Sequence, residues 1–188
     1  MPDGAPMRRS LGNAVVNLPN IITFARLCAV PAAVWLVLHD DFVTAFWLFL
    51  AAGASDALDG WLARRNGPTM VGTVLDPVAD KTLLVSMYVT LAAEHELSDW
   101  LAILVVFRDV VIVGGVLLLG VTGQKVVIRP LLVSKLNTVL QIGLVALTLA
   151  MAATGWRWPL VTQGLAWAVA ASTLASGAAY VWTGARTR

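Results

Sequence analysis

Apolar runs long enough to cross a lipid bilayer recur six times along this chain, at about 19–38, 42–65, 72–94, 98–120, 130–153 and 157–182. A helix needs about 20 apolar residues to cross a hydrocarbon core, and its backbone groups must be satisfied within the segment. The pattern therefore predicts an all-α polytopic membrane protein, a bundle of six transmembrane helices. Composition agrees: 59% of the 188 residues are hydrophobic and 13% charged, about half the charged share of a soluble domain. Several runs carry interior polar residues, as expected of helices that face one another. No repeat, low-complexity tract or linker divides the chain, so residues 1–188 read as one domain, with 1–18 lying at the cytoplasmic interface.

Proline and tryptophan mark the same boundaries. Pro19, Pro130 and Pro159 fall at predicted helix starts, where a missing N–H costs little. Pro31 lies inside the first span and is expected to kink it unless neighbouring helices compensate. Trp100, Trp156, Trp158 and Trp182 lie near span ends, as an interfacial belt requires. Arg8, Arg9, Arg64, Arg65, Lys125, Arg129, Arg186 and Arg188 fall on one side. The opposite loops hold His39, Asp40, Asp41, Glu94, His95, Glu96 and Asp99, with Arg157 the basic exception. The positive-inside rule then places both termini in the cytoplasm. The formal charge of +2 carries no nucleic-acid signal, because the basic residues flank the spans. Cys28 is the single cysteine, so no intrachain disulfide forms, and His39 and His95 lack ligand spacing. The short N-terminus, without a cleavable signal or transit pattern, points to a bacterial cytoplasmic (inner) membrane.

The stretch from Ser55 to Lys81, "SDALDGWLARRNGPTMVGTVLDPVADK", places four aspartates in or beside membrane spans. Ionised carboxylates there are costly and mark function. At 100° per residue, Asp56, Asp59, Gly60, Ala63 and Arg64 share one stripe, and Gly72, Asp76 and Asp80 share another. Asn-Gly-Pro between them predicts a tight turn, so the two helices are antiparallel neighbours. Four converging carboxylates take up protons, pair with arginine, or bind cations. As hard oxygen donors they suit Mg2+ or Mn2+, and their number allows two ions. Arg64 either offers a forked phosphate donor or anchors the cytoplasmic rim. An ion-coupled transporter would use the same aspartates differently, but the inverted repeats and paired broken helices common in that class are missing.

Asp56-x-x-Asp59-Gly60-x-x-Ala63-Arg64 followed by Gly72-x-x-x-Asp76-x-x-x-Asp80 resembles the signature of the CDP-alcohol phosphatidyltransferases. One spacing differs: the seven residues from Arg65 to Val71 are one fewer than the pattern leads one to expect. The resemblance implies a six-helix membrane enzyme, usually a homodimer, that uses divalent metal. By position it implies that Asp56, Asp59 and Asp76 are metal ligands. Asp80 would be the general base toward the acceptor alcohol, with possible metal contact. Gly60, Ala63, Arg64 and Gly72 would line the site of the CDP-lipid.

Residues outside the signature bear on the acceptor. Asn20 and Thr23 are placed to hydrogen-bond the nucleotide and Arg26 to reach a phosphate, although Asn20 beside Pro19 also fits a helix cap. In span four Arg108 and Asp109 are adjacent, about 100° apart, so they are not expected to face one partner together. Span five carries Lys135, Asn137 and Gln141. Lys135 either snorkels to lipid headgroups or, with Arg108, supplies cations for an anionic acceptor. Small residues at Ala171, Ala175, Ala179, Ser172 and Ser176 permit close packing. "DPVADKTLLVS", "FRDVVIVGG", "RPLLVSKLNTVLQ" and "WAVAASTLASGAAY" resemble stretches of eukaryotic-type cardiolipin synthases. That likeness implies transfer from CDP-diacylglycerol to phosphatidylglycerol. Phosphatidylglycerophosphate synthases, with glycerol 3-phosphate as acceptor, are the alternative.

Overall fold

A computed structural model describes the backbone of residues 18–66, 70–121 and 132–186, and side chains over 22–55, 79, 81–112, 114 and 132–179. Six helices form: α1 Leu18–Leu38, α2 Phe42–Asn66, α3 Met70–Ala93, α4 Asp99–Val121, α5 Leu132–Thr154 and α6 Pro159–Arg186. No strand occurs among the described residues. Every helix end falls within four residues of an expected span. Pro19 sits in the first turn of α1 and Pro159 opens α6, whereas Pro130 lies outside the described residues. α1 continues through Pro31 to Leu38. Buried Val30, Ala33 and Val37 pin this stretch to the bundle on either side of the proline.

Three short connections close one end of the bundle, each with a residue of left-handed backbone: Asp40 (φ 59°), His95 (φ 59°) and Gly155 (φ 72°). Such residues end helices by turning the last N–H groups back onto free carbonyls. Glu96 and Leu97 thus both donate to the Leu91 carbonyl, at 2.9 and 3.1 Å, and Gly155 donates to Met151 at 2.9 Å. Asp41 caps α2, its Oδ1 accepting the Thr44 N–H at 3.2 Å.

α1 packs against both α2 and α3, α2 against α5, α3 against α4 and α5, and α6 against α4 and α5; α2 and α3 also touch. Met87, Tyr88, Leu91, Leu101, Val105, Leu144, Val145, Leu149 and Val169 fill the centre. The outer surface is strongly apolar as well, unlike that of a water-soluble bundle. On α4, Ile103, Phe107 and Val110 point outward with 68%, 65% and 63% exposure, while Arg26, Arg108, Asp109, Asn137, Gln141 and Thr173 are buried. Among the described residues α5 alone is long and apolar enough by itself to span a membrane. Shorter apolar stretches occur at Ile22–Leu38, Phe42–Ser55 and Lys81–Ala93.

Trp100, Trp156 and Trp158 are exposed at the end with the short connections, as expected. Trp35, Trp47 and Trp167 are exposed as well, and the Trp100 and Trp167 rings lie 5.2 Å apart. The side chain of Trp182 is outside the described set. Arg157 is explained by its partner: it donates to both carboxylate oxygens of Glu96, at 3.0 and 3.1 Å. The basic exception is therefore locally neutralised.

Candidate functional site

Asp56 and Asp59 fall on the half of α2 remote from the short connections, and Asp76 and Asp80 on the corresponding half of α3. They occupy i, i+3 and i, i+4 positions, which are neighbours on a helix surface. α3 runs unbroken through Pro77, so the register from Gly72 to Asp80 is helical. The side chains of Asn20, Asp56, Asp59, Gly60, Ala63, Arg64, Gly72, Asp76 and Asp80 lie outside the described residues.

The surrounding wall is described. α1 touches both aspartate-bearing helices, and it presents Thr23 and Arg26, both buried. An Arg26 Nη lies 3.5 Å from Ser55 Oγ, which itself donates to the Ala52 carbonyl at 2.7 Å. Ser55 immediately precedes Asp56, so the fold brings Arg26 to the start of the acidic segment. Ala79, just before Asp80, is buried too. The described side chains include no group of three or more His, Cys, Asp or Glu able to hold a metal. The donor set of the four aspartates, all carboxylate oxygen, fits a hard divalent cation such as Mg2+ or Mn2+.

A second polar cluster joins four helices. Lys81 Nζ on α3 donates to Asp109 Oδ1 and Oδ2 at 2.7 and 2.8 Å. Arg108 donates to Asp109 Oδ1 at 2.7 Å, to Ser134 Oγ on α5 at 2.9 Å and to Ser176 Oγ on α6 at 2.5 Å. Arg108 and Asp109 reach different partners across helices, as their angular separation leads one to expect, and they also pair with each other. The 100° separation describes where side chains leave the helix, and the long guanidinium arm reaches back across it. Ser176, expected only to ease packing, accepts a hydrogen bond from Arg108. Lys135 stands exposed on α5, beside Ser134. Lys81 had not been singled out, although a lysine within a membrane span needs a counter-charge and Asp109 on the next helix offers one.

Residues 16–175 match the model of the CDP-alcohol phosphatidyltransferase family. The chain belongs to that family. Its members are membrane-bound enzymes that pair CDP-alcohol donors with alcohol acceptors and use divalent metal. A cardiolipin synthase (CMP-forming)/mitochondrial hydrolase fusion protein of Schizosaccharomyces pombe is 33% identical, over 93% of this chain and 32% of its own. A chloroplastic CDP-diacylglycerol–glycerol-3-phosphate 3-phosphatidyltransferase of Oryza sativa subsp. japonica is 34% identical, over 88% of this chain and 56% of its own. The cardiolipin synthase (CMP-forming) of Rattus norvegicus is 29% identical, over 91% of this chain and 62% of its own. The chain thus spans from a third to about three fifths of the length of these relatives.

Proposed function

We propose that this protein is a cardiolipin synthase, transferring the phosphatidyl group of CDP-diacylglycerol to phosphatidylglycerol and releasing CMP. The observation that carries the reading is the complete aspartate signature on two consecutive helices, α2 and α3, that touch each other and share α1 as a wall. The cardiolipin synthase relatives and the segments around Lys81, Arg108 and Lys135 support the acceptor. The rice relative, at similar identity, supports glycerol 3-phosphate as the second reading.

In this reading Asp56, Asp59 and Asp76, with Asp80, hold the divalent ions. Bound there, the ions would offset the charge of the donor diphosphate. Thr23 and Asn20 orient the nucleotide, while Arg26 and Arg64 meet phosphate oxygens at the cytoplasmic side. Gly60, Ala63 and Gly72 leave room for the CDP moiety. Asp80 takes the proton of the acceptor hydroxyl. The acceptor oxygen then bonds to the lipid-side phosphorus as the bond to the CMP oxygen breaks, and CMP carries away the negative charge. Arg108 and Lys135 supply positive charge on the acceptor side. The protein spans the membrane six times with both termini cytoplasmic, and it acts as a homodimer.

The test is CMP release by purified protein with Mg2+ or Mn2+ and CDP-diacylglycerol, run in parallel with phosphatidylglycerol and with glycerol 3-phosphate. CMP is expected only with an acceptor present, and with phosphatidylglycerol preferred. Turnover with glycerol 3-phosphate alone would replace the first reading by the second, and no acceptor-dependent release would sink both.

A further inference from the structure

Two carboxamides in the bundle interior have hydrogen-bonding capacity that the protein itself does not use. Asn137 and Gln141 stand one turn apart on α5, and both side chains have 0% exposure. Asn137 Oδ1 accepts from Ser172 Oγ at 2.8 Å and from Thr173 Oγ1 at 2.9 Å, while its Nδ2 has no partner. Neither Nε2 nor Oε1 of Gln141 has one. Tyr88 donates to the Gln141 backbone carbonyl at 3.3 Å, which leaves the carboxamide unanswered.

Stranded amides are destabilising in an apolar interior, and native proteins keep few of them. Leucine or methionine would fill the Gln141 position without that penalty, as Leu144 and Leu149 do further along the same helix. The unused groups also specify what fits. They comprise two NH2 donors and one carbonyl acceptor, about 5–6 Å apart at the Cβ atoms of an i, i+4 pair. A cation meets donors, an acyl chain answers neither, and a bare phosphate leaves Gln141 Oε1 unpaired. A hydroxyl group answers all three, donating to Oε1 and accepting from the amide nitrogens. Polar neighbours continue from the pair toward Arg108, because Ser134 and Ser176, one turn away on α5 and α6, both accept from its guanidinium.

We propose that Asn137 and Gln141 form a buried hydroxyl-binding site. Its occupant is either ordered water or a glycerol hydroxyl of the acceptor, and the second source rests on the proposed function. Gln141→Met and Gln141→Leu distinguish the two, with Leu144→Met calibrating the cost of changed packing. Water as occupant predicts that the Gln141 variants unfold at lower temperature than wild type in substrate-free detergent, beyond the Leu144→Met effect, with unchanged acceptor KM. It also predicts ordered density between the two amides in a high-resolution map of the wild-type protein. A glycerol hydroxyl predicts an unchanged or raised midpoint with acceptor KM increased about tenfold and donor KM unaffected, as loss of a hydrogen bond to substrate implies. A midpoint unchanged or raised with both KM values unchanged overturns the site. Should wild-type protein release no CMP with any acceptor, the functional reading fails, and the unfolding series and density map still decide whether a hydroxyl is held.

Discussion

Asp80 and Lys81 are neighbours with different duties, and each can be tested by itself. With Asp80 as general base, Asp80→Asn is expected to lower transfer by about 10²–10⁴-fold. Metal-dependent binding of CDP-diacylglycerol should largely survive, measured by equilibrium binding beside turnover; near-normal turnover would exclude an essential base at this position. Lys81 instead ties α3 to α4 through Asp109. Asp109→Ala leaves the buried Arg108 without its carboxylate, at an expected cost of about 3–5 kcal/mol. Lys81→Ala removes a side chain that is 38% exposed, so solvent compensates and the loss is about 1 kcal/mol. Unfolding in detergent should rank the two variants in that order. At this scale the sequence shows which residue types are unusual but not whom they touch. Four aspartates at helical spacing announce themselves, whereas the reach of Arg108 back to Asp109 depends on side-chain length and on the placement of α5 and α6.

The helices were legible because their punctuation is chemical. Pro19 and Pro159 open helices, and charged or polar loops separate apolar runs, so expected and observed boundaries differ by a few residues. The closing residues were harder to read, since Asp40 and His95 take left-handed backbone without being glycine. Gly155 shows what that conformation costs. No atom lies within 4 Å of the position a Cβ would occupy there, so Gly155→Ala meets no steric obstacle. Its expected penalty of about 1–2 kcal/mol is conformational. A lower unfolding midpoint for Gly155→Ala, with turnover per folded molecule unchanged, checks this. An unchanged midpoint would mean that the α5–α6 connection adjusts its backbone at no cost.

Across the whole molecule, polarity sorts in two directions at once. Apolar side chains face outward around the described bundle as well as filling its centre, a smaller set of polar ones is buried among them, and tryptophans crowd the end with the three short connections. At that end Arg157 is held by Glu96, so the one basic residue that breaks the charge asymmetry carries little free charge to an outer surface. This arrangement makes a directional claim about the membrane. Residues at the short connections should meet the outer aqueous phase, and the end of α2 at Asn66 should meet the cytoplasm. Cys28 is the single native cysteine, so a Cys28→Ala background leaves introduced thiols as the only reporters. A membrane-impermeant maleimide applied to intact cells is expected to label Ser98→Cys, whose position is exposed in the α3–α4 connection, and to label Asn66→Cys only after the membrane is opened. Labelling of Asn66→Cys in intact cells would reverse the topology. It would also put the aspartate ends of α2 and α3 at the outer face, against the cytoplasmic placement in the proposed function.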